Sequence, residues 1–458
     1  MFGNVILLCF TILAVIIGIV LFFLIWNKPV LVIYIQLIYC CFMRVLISHL
    51  HFPEVIKFAS DFFAIILFLQ IILQFKKAKT LNIRKPFFFI ILFFIIVVIS
   101  LVINRSSIIF FALGFRVYFR LFVFFMACTI FLRREDIDKL MKFLLTILPV
   151  NSLVVFVQFF LMGFRDDYVG GLFGTQKGCN IESNLFLTIV TIITLIYYVN
   201  KKISLFHCVA SILQISIIAS LSELKILYFS IAIILFLIFF LTFPNARIII
   251  ISFFCFFVLI FGLIVLMVVY PHWDNMLTNF GAFVKETAGG SYGAADTLGR
   301  TTAGPYILRN ILMEPVHKIF GIGPGYGDRY LAMESSFFSR YKVLAYFYFA
   351  YTIILIETGL IGLAIYCLFF LSIIYESLRI AKKLKNNVNY YCHISLIGAF
   401  FVFPLILYDQ SMFYDAAFIM FFLLSFPFIM EKDAYENTKS SIHFPLNKPL
   451  VIAFTTRV

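Results

Sequence analysis

Arg116 and Arg120 stand four residues apart inside an apolar run over residues 107–131, so a helix there carries both guanidinium groups on one face. Two such planar forks can present themselves to a single anion, and a phosphate group suits that geometry. The structural alternative is pairing with Asp61 or another buried carboxylate, or snorkelling to the membrane surface. An arginine in a spanning helix costs several kcal/mol unless a partner or polar cavity receives it, which makes each one a candidate functional residue. Glu223 and Lys225 fall where two later apolar runs meet, and an interfacial turn closed by a mutually satisfied pair is their plainer role. Arg44, Lys57 and Asp61, in or beside apolar runs, read as mainly structural charges. The 7 His have no ligand spacing and the 9 Cys contain no CxxC pair, so neither a metal site nor a disulfide framework is expected.

The elements that must position these residues are membrane helices. Of 458 residues, 63% are hydrophobic and 13% charged, and 62 are Phe, far more apolar surface than a water-exposed fold can bury. Apolar runs at 5–26, 29–48, 55–74, 87–103, 107–131, 140–162, 183–199, 203–221, 226–243, 247–270, 346–374, 391–408 and 413–430 are each long enough to cross, or nearly cross, a hydrocarbon core of about 30 Å. None shows the alternation of a membrane barrel. The expected fold is all-α and polytopic, with about 12 or 13 transmembrane helices.

The net charge of +14 excludes little by itself, because the cations sit in short loops between spans and need no nucleic acid to explain them. Lys76, Lys77, Lys79, Arg84 and Lys85, then Arg133 and Arg134, Lys201 and Lys202, and Arg379, Lys382, Lys383 and Lys385 fall on one side when the spans are counted consecutively. The positive-inside bias makes that side the cytoplasm. The first run lacks a basic leader region and a small-residue cleavage site, so it reads as a retained helix, with the side of the N-terminus left open. The count sends a small loop at 163–182, which contains Arg165, and a large loop at 271–345 to the outer side, and returns a polar tail at 431–458 to the cytoplasm. Aromatic and apolar residues in the large loop, among them Trp273, Phe280, Phe283, Tyr306 and Phe320, suggest an ordered lid of short helices packed on the membrane domain. Its glycines include Gly289, Gly290, Gly293, Gly321, Gly323, Gly325 and Gly327, which permit tight turns and close backbone approach.

Within that loop, Arg300-Thr301-Thr302-Ala303-Gly304-Pro305-Tyr306 is followed by Glu314-Pro315 and then by Phe320-Gly321-Ile322-Gly323-Pro324-Gly325-Tyr326-Gly327. The next span opens with Ile356-Glu357-Thr358-Gly359-Leu360-Ile361-Gly362. In order and spacing this resembles the large periplasmic loop of the O-antigen polymerases and ligases and the E-x-G-L-I-G entry of the helix after it. Asp167-Tyr168-Val169-Gly170-Gly171-Leu172-Phe173-Gly174, after Gln158, is similar to the smaller outer loop of that family.

The resemblance implies a multi-pass protein of the bacterial plasma membrane that moves a glycan from undecaprenyl diphosphate onto a second lipid-linked repeat unit, or onto lipid A core in the ligases. It implies no metal and no cofactor, and it suggests a flippase and a chain-length regulator as partners. Arg300 matches the loop arginine of the family. Arg116, Arg120, Lys225 and Arg165 would join it around the diphosphate, whose departing charge bidentate cations can hold. Glu223, Glu182 and Glu357 are the carboxylates expected to face outward and able to act as a base, although Glu357 could instead satisfy backbone amides near a helix start. The ligases carry a His-Asn pair where this chain has Tyr348 and Phe349, a departure that favours polymerase over ligase, since Tyr is a poor base at neutral pH. A lipid-linked oligosaccharide flippase is the alternative from another class, and a non-catalytic scaffold a third.

Overall fold

The computed structural model describes residues 26–74, 84–242, 245–271, 281, 297–330, 333–384 and 388–442. All but Trp26 of the expected first span lies outside the described residues, as do Lys76, Lys77, Lys79, Lys385, Trp273, Phe280, Phe283, Gly289, Gly290, Gly293 and the end of the tail beyond residue 442. Among the described residues, ten helices are long and apolar enough to cross a membrane, and no β-strand occurs beyond one isolated bridge between Tyr330 and Met333. The chain is an all-α, multi-pass membrane protein.

In chain order the helices are α1 (Pro29–Ser48), α2 (Ala59–Leu73, entered through the 3₁₀ turn Glu54–Phe58), α3 (Arg84–Asn104), α4 (Ile108–Phe131) and α5 (Arg134–Phe156, prolonged by the π turn Val157–Leu161). After the small loop come α6 (Asn180–Val199), α7 (Leu205–Leu221), α8 (Lys225–Thr242) and α9 (Ala246–Val269). Among its described residues, the large loop carries the short helices α10 (Ala303–Tyr306), α11 (Pro315–Phe320) and α12 (Ser336–Tyr341). The last four are α13 (Ala350–Lys383), α14 (Tyr390–Tyr408), α15 (Ala417–Leu424) and α16 (Phe426–Ile442).

Local chemistry sets several of these ends. Pro29 starts α1, where a missing N–H is harmless. The Ser204 hydroxyl accepts from His207 N–H at the start of α7, and the Asn245 side chain accepts from Arg247 N–H at the start of α9. Three expected spans take a different form. The run at 203–221 is a helix of only 17 residues, the run at 413–430 is broken at Ser425 into α15 and α16, and the run at 346–374 becomes a 34-residue helix. The extension beyond 374 is held by charge pairing, with Arg379 on Glu376 at 2.5 Å and on Glu431 at 3.2 Å. The same pairing keeps α16 helical past residue 431, so the tail begins as helix.

The layers follow from which helices face lipid. α6 is almost wholly buried and forms the centre, touched by α7, α8 and α14. α9 is peripheral: Ile249, Phe253 and Phe256 are 60–65% exposed, as lipid-facing side chains must be. Between helices in lipid the hydrophobic effect contributes little, so close ring packing carries more of the load. Phe122 of α4 lies 5.8 Å from Phe93 of α3, 5.0 Å from Phe369 of α13 and 5.8 Å from Phe421 of α15, pairs worth about 0.5–1.5 kcal/mol each. The helix order puts Arg133, Arg134, Lys201, Lys202, Lys382 and Lys383 at one end, the basic end, and both long loops at the other, the loop end.

Candidate functional site

The site is organised by a short segment of the loop end, residues 408–416, that joins α14 to α15. Asp409 terminates α14 in an extended conformation, its Oδ1 accepting the Ser411 N–H at 2.8 Å, and a 3₁₀ turn follows at Ser411–Phe413. The Asp409 carbonyl accepts the Ala350 N–H at 3.0 Å, which ties the segment to the start of α13.

Three arginines from three elements converge on it. Arg300, from the large loop, donates from Nε to the Tyr408 carbonyl at 3.2 Å and lies over the Tyr408 ring, 4.2 Å from its centre. Arg120 donates to Asp415 at 2.9 Å and to the Phe413 carbonyl at 2.9 Å. Arg44 lies over the Tyr414 ring and donates from Nε to Glu182 at 2.9 Å, while Glu182 accepts the Ala416 N–H at 3.3 Å.

Arg116 and Arg120 do share a helix face, but carboxylates fill the space between them. Arg116 bonds Asp61 at 2.7 Å, Arg120 lies 3.9 Å from Asp61 and 2.9 Å from Asp415, and the Ser60 hydroxyl also donates to Asp415. The result is a ladder of two cations and two anions inside the helix bundle. Removing one member of such a set costs about 3–5 kcal/mol, because a charge is left buried and uncompensated. These arginines hold α2, α4 and the 408–416 segment together. Sequence spacing alone could not show that Asp61 and Asp415, far apart in the chain, supply the counter-charges.

Glu357 and Glu182 do not face outward. Glu357 is fully buried in α13. Its Oε1 accepts from Gly325 N–H at 2.9 Å, Gly327 N–H at 3.1 Å and the Tyr330 hydroxyl at 3.0 Å, and its Oε2 accepts from the Tyr118 hydroxyl at 2.8 Å. With four donors on one carboxylate, Glu357 is an anchor for the glycine-rich turn. The backbone around it is built for that purpose. Gly359 breaks α13 at φ +69°, and the carbonyls of Ile356 and Glu357 accept the N–H groups of Ile322 and Gly323. Gly325, at φ +85°, sits so close to α4 that a Cβ would collide with the Phe110 carbonyl. Glu182, at the start of α6, is bound by Arg44 and the Ala416 amide as described.

Glu223 and Lys225 form the expected pair at 3.3 Å, in the turn between α7 and α8, with Glu223 at φ +55°. Asn180 links this turn to the small loop, donating to the Ser222 carbonyl at 3.2 Å and to Asp167 at 3.0 Å. Arg165 turns back on its own loop, donating to the Phe159 carbonyl at 2.6 Å and the Phe164 carbonyl at 3.0 Å, with its guanidinium 3.7 Å from the centre of the Phe159 ring.

The structure therefore brings Arg300 together with Asp409, Asp167 and Glu223, all within electrostatic reach of the Tyr408 hydroxyl. Arg120 and Arg44 grip the same segment further along, and Arg165 is bound to carbonyls of its own loop. Burial pushes the Asp409 carboxyl up to about 6, against the opposing pull of Ser411 and Arg300. Asp409 escaped sequence reasoning because it sits in the short gap between the apolar runs at 391–408 and 413–430, and Asp415 because it lies just inside the second of them. Two Asp in Tyr408-Asp409-Gln410-Ser411-Met412-Phe413-Tyr414-Asp415 were the available sign. Among the described residues, no group of three or more His, Cys, Asp or Glu is placed to hold a metal ion. No family model matches the chain, and no curated protein matches it.

Proposed function

We propose that this chain polymerises lipid-linked oligosaccharide repeat units at the outer face of the bacterial plasma membrane, as the O-antigen polymerases do. The observation that carries the reading is the seat of Arg300: a cation delivered by the large loop to the loop-end terminus of a membrane helix, beside Asp409 and within reach of Glu223. A diphosphate carried on a polyprenyl lipid would lie at this level, with its chain in the bilayer and its glycan beneath the loop.

In the transfer, the bond between the sugar C1 and the diphosphate oxygen breaks, and a bond from C1 to an acceptor hydroxyl oxygen forms. The departing diphosphate takes the electron pair, and Arg300 stabilises the charge that develops on it. The acceptor hydroxyl loses its proton to a carboxylate. Glu357 and Glu182 are occupied by donors, so the role falls to Asp409, whose elevated affinity for protons suits a base working near neutral pH; Glu223, like Asp409, is within electrostatic reach of the Tyr408 hydroxyl. Arg116 and Arg120 position the segment and do not touch substrate.

The test is lipid and glycan analysis of a bacterium carrying Arg300→Ala in place of the native gene, with the variant verified in the membrane. Loss of long polymer with persistence of single lipid-linked units is the expected result. Unchanged chain length would overturn the proposal, untranslocated units on the inner leaflet would make the chain a flippase, and long polymer still on its lipid carrier and unattached to lipid A core would make it a ligase.

A further inference from the structure

At the loop end, where α1, the start of α6 and the small loop meet, a cavity of about 170 Å³ is lined by Arg44, Ser48, Gly174, Lys177, Glu182 and Tyr414 among others. Its size is that of one ring: a protein cavity of roughly 150 Å³ takes up benzene. Its lining is polar and carries two cations against one anion. Glu182 is held by Arg44 Nε at 2.9 Å and by the Ala416 N–H at 3.3 Å, which fixes it on the Arg44 side. Only Nε of Arg44 is used in this way. Its two terminal nitrogens make no hydrogen bond among the described residues, and neither does the Lys177 ammonium, which is exposed at the rim. The Tyr414 ring, 5.6 Å from the guanidinium, keeps Arg44 in place. Gly174, at φ +98°, brings the loop backbone against α1 so closely that a Cβ would lie 3.4 Å from that of Arg44.

We propose that this cavity binds an acidic sugar-sized group, one ring bearing a carboxylate or a phosphate, through the terminal nitrogens of Arg44 and the ammonium of Lys177. One cation held in place, Arg44, and a second at the rim, Lys177, with one fixed counter-anion in the lining leave a net positive charge for a ligand oxygen to neutralise. Tyr414 and Tyr408 belong to one segment, so the cavity and Arg300 lie along the same stretch of chain. On the polymerase reading, the cavity receives a charged residue of the repeat unit while the diphosphate lies at Arg300. The cavity's chemistry stands without that reading; only the identity of the carrier rests on it.

The experiment uses the purified full chain in detergent micelles, titrated with glucuronic acid, inorganic phosphate and glucose and followed by isothermal titration calorimetry. At least one of the two anions binds saturably and glucose does not; Lys177→Ala and Arg44→Gln each weaken the binding about tenfold, as loss of one charge-assisted contact would. Stronger binding of glucuronate identifies a sugar acid as the source, and stronger binding of phosphate identifies a phosphorylated group. Absence of saturable binding for both anions overturns the site, as does binding unchanged in both variants. Lys177 is exposed and outside every helix, so its variant reports even if Arg44→Gln fails to fold. No glycosyl transfer is needed for the readout, so a negative result here leaves the polymerase test untouched, and the reverse holds too.

Discussion

The Glu357 carboxylate accepts the Gly325 N–H at 2.9 Å across 32 residues of chain, and through that contact a membrane helix holds the glycine-rich turn of the large loop. Gly327 N–H and the Tyr330 and Tyr118 hydroxyls complete the ring of donors. Arg300 lies in the same loop, so the accuracy of its seat on Tyr408 depends on an anchor in another part of that loop.

Glu357→Ala leaves two amides and two hydroxyls buried without their acceptor, at about 1–3 kcal/mol for each that finds no substitute. A net loss on the order of 3 kcal/mol is expected, read as a lowered thermal midpoint in detergent. Glu357→Gln keeps one acceptor oxygen and is expected to lose about half as much. A Glu357→Ala protein as stable as the native chain would remove the anchoring role.

Arg120 and Asp415 are a second such relationship, and here the sign of the double variant matters. Arg120→Leu strands Asp415 and is expected to destabilise by about 3–5 kcal/mol, whereas Arg120→Leu with Asp415→Leu removes both charges and recovers most of that loss. Thermal unfolding of the four members of the cycle measures the coupling. Additive losses would show that the two side chains are not a pair in the folded protein.

The membrane class and the alternation of its ends were legible because each depends on local composition: runs of about 20 apolar residues, and cations between alternate pairs of them. The Arg116 and Arg120 face was legible for the same reason, as helix periodicity is local. What filled the space between them was not. Asp61 and Asp415 are 354 positions apart in the numbering, and only the folded bundle sets both beside Arg120. Glu357 shows the converse. Its motif was visible, but the outward-facing role failed, because Gly359 breaks the helix just where the glycine-rich turn can dock, and docking buries the carboxylate.

Asp409 makes pH a probe of the segment. Burial raises its carboxyl from 3.8 to about 6, so the folded protein takes up a proton between those values that the unfolded chain does not. Its contribution to stability is therefore greatest below about pH 4, falls as pH rises through 6, and is constant above, a change on the order of 3 kcal/mol. Asp409→Asn cannot ionise and is expected to lose that slope in a plot of thermal midpoint against pH. An identical slope in the variant would assign the titration elsewhere.

Arg300→Lys separates charge from shape. A lysine ammonium keeps the positive charge but lacks the planar fork that can span two phosphate oxygens, and it stacks less well on Tyr408. Losing one contact made to the departing charge typically costs on the order of 3 kcal/mol in the transition state, or about 100-fold in rate. Arg300→Lys is therefore expected to slow polymer formation by about 10- to 100-fold and Arg300→Ala by at least 100-fold, measured as product chains per unit time from lipid-linked repeat units in vesicles. Equal rates for the native protein and Arg300→Lys would mean that a point charge suffices. Equal rates for all three would place the diphosphate away from Arg300 and remove the basis of the proposed reaction.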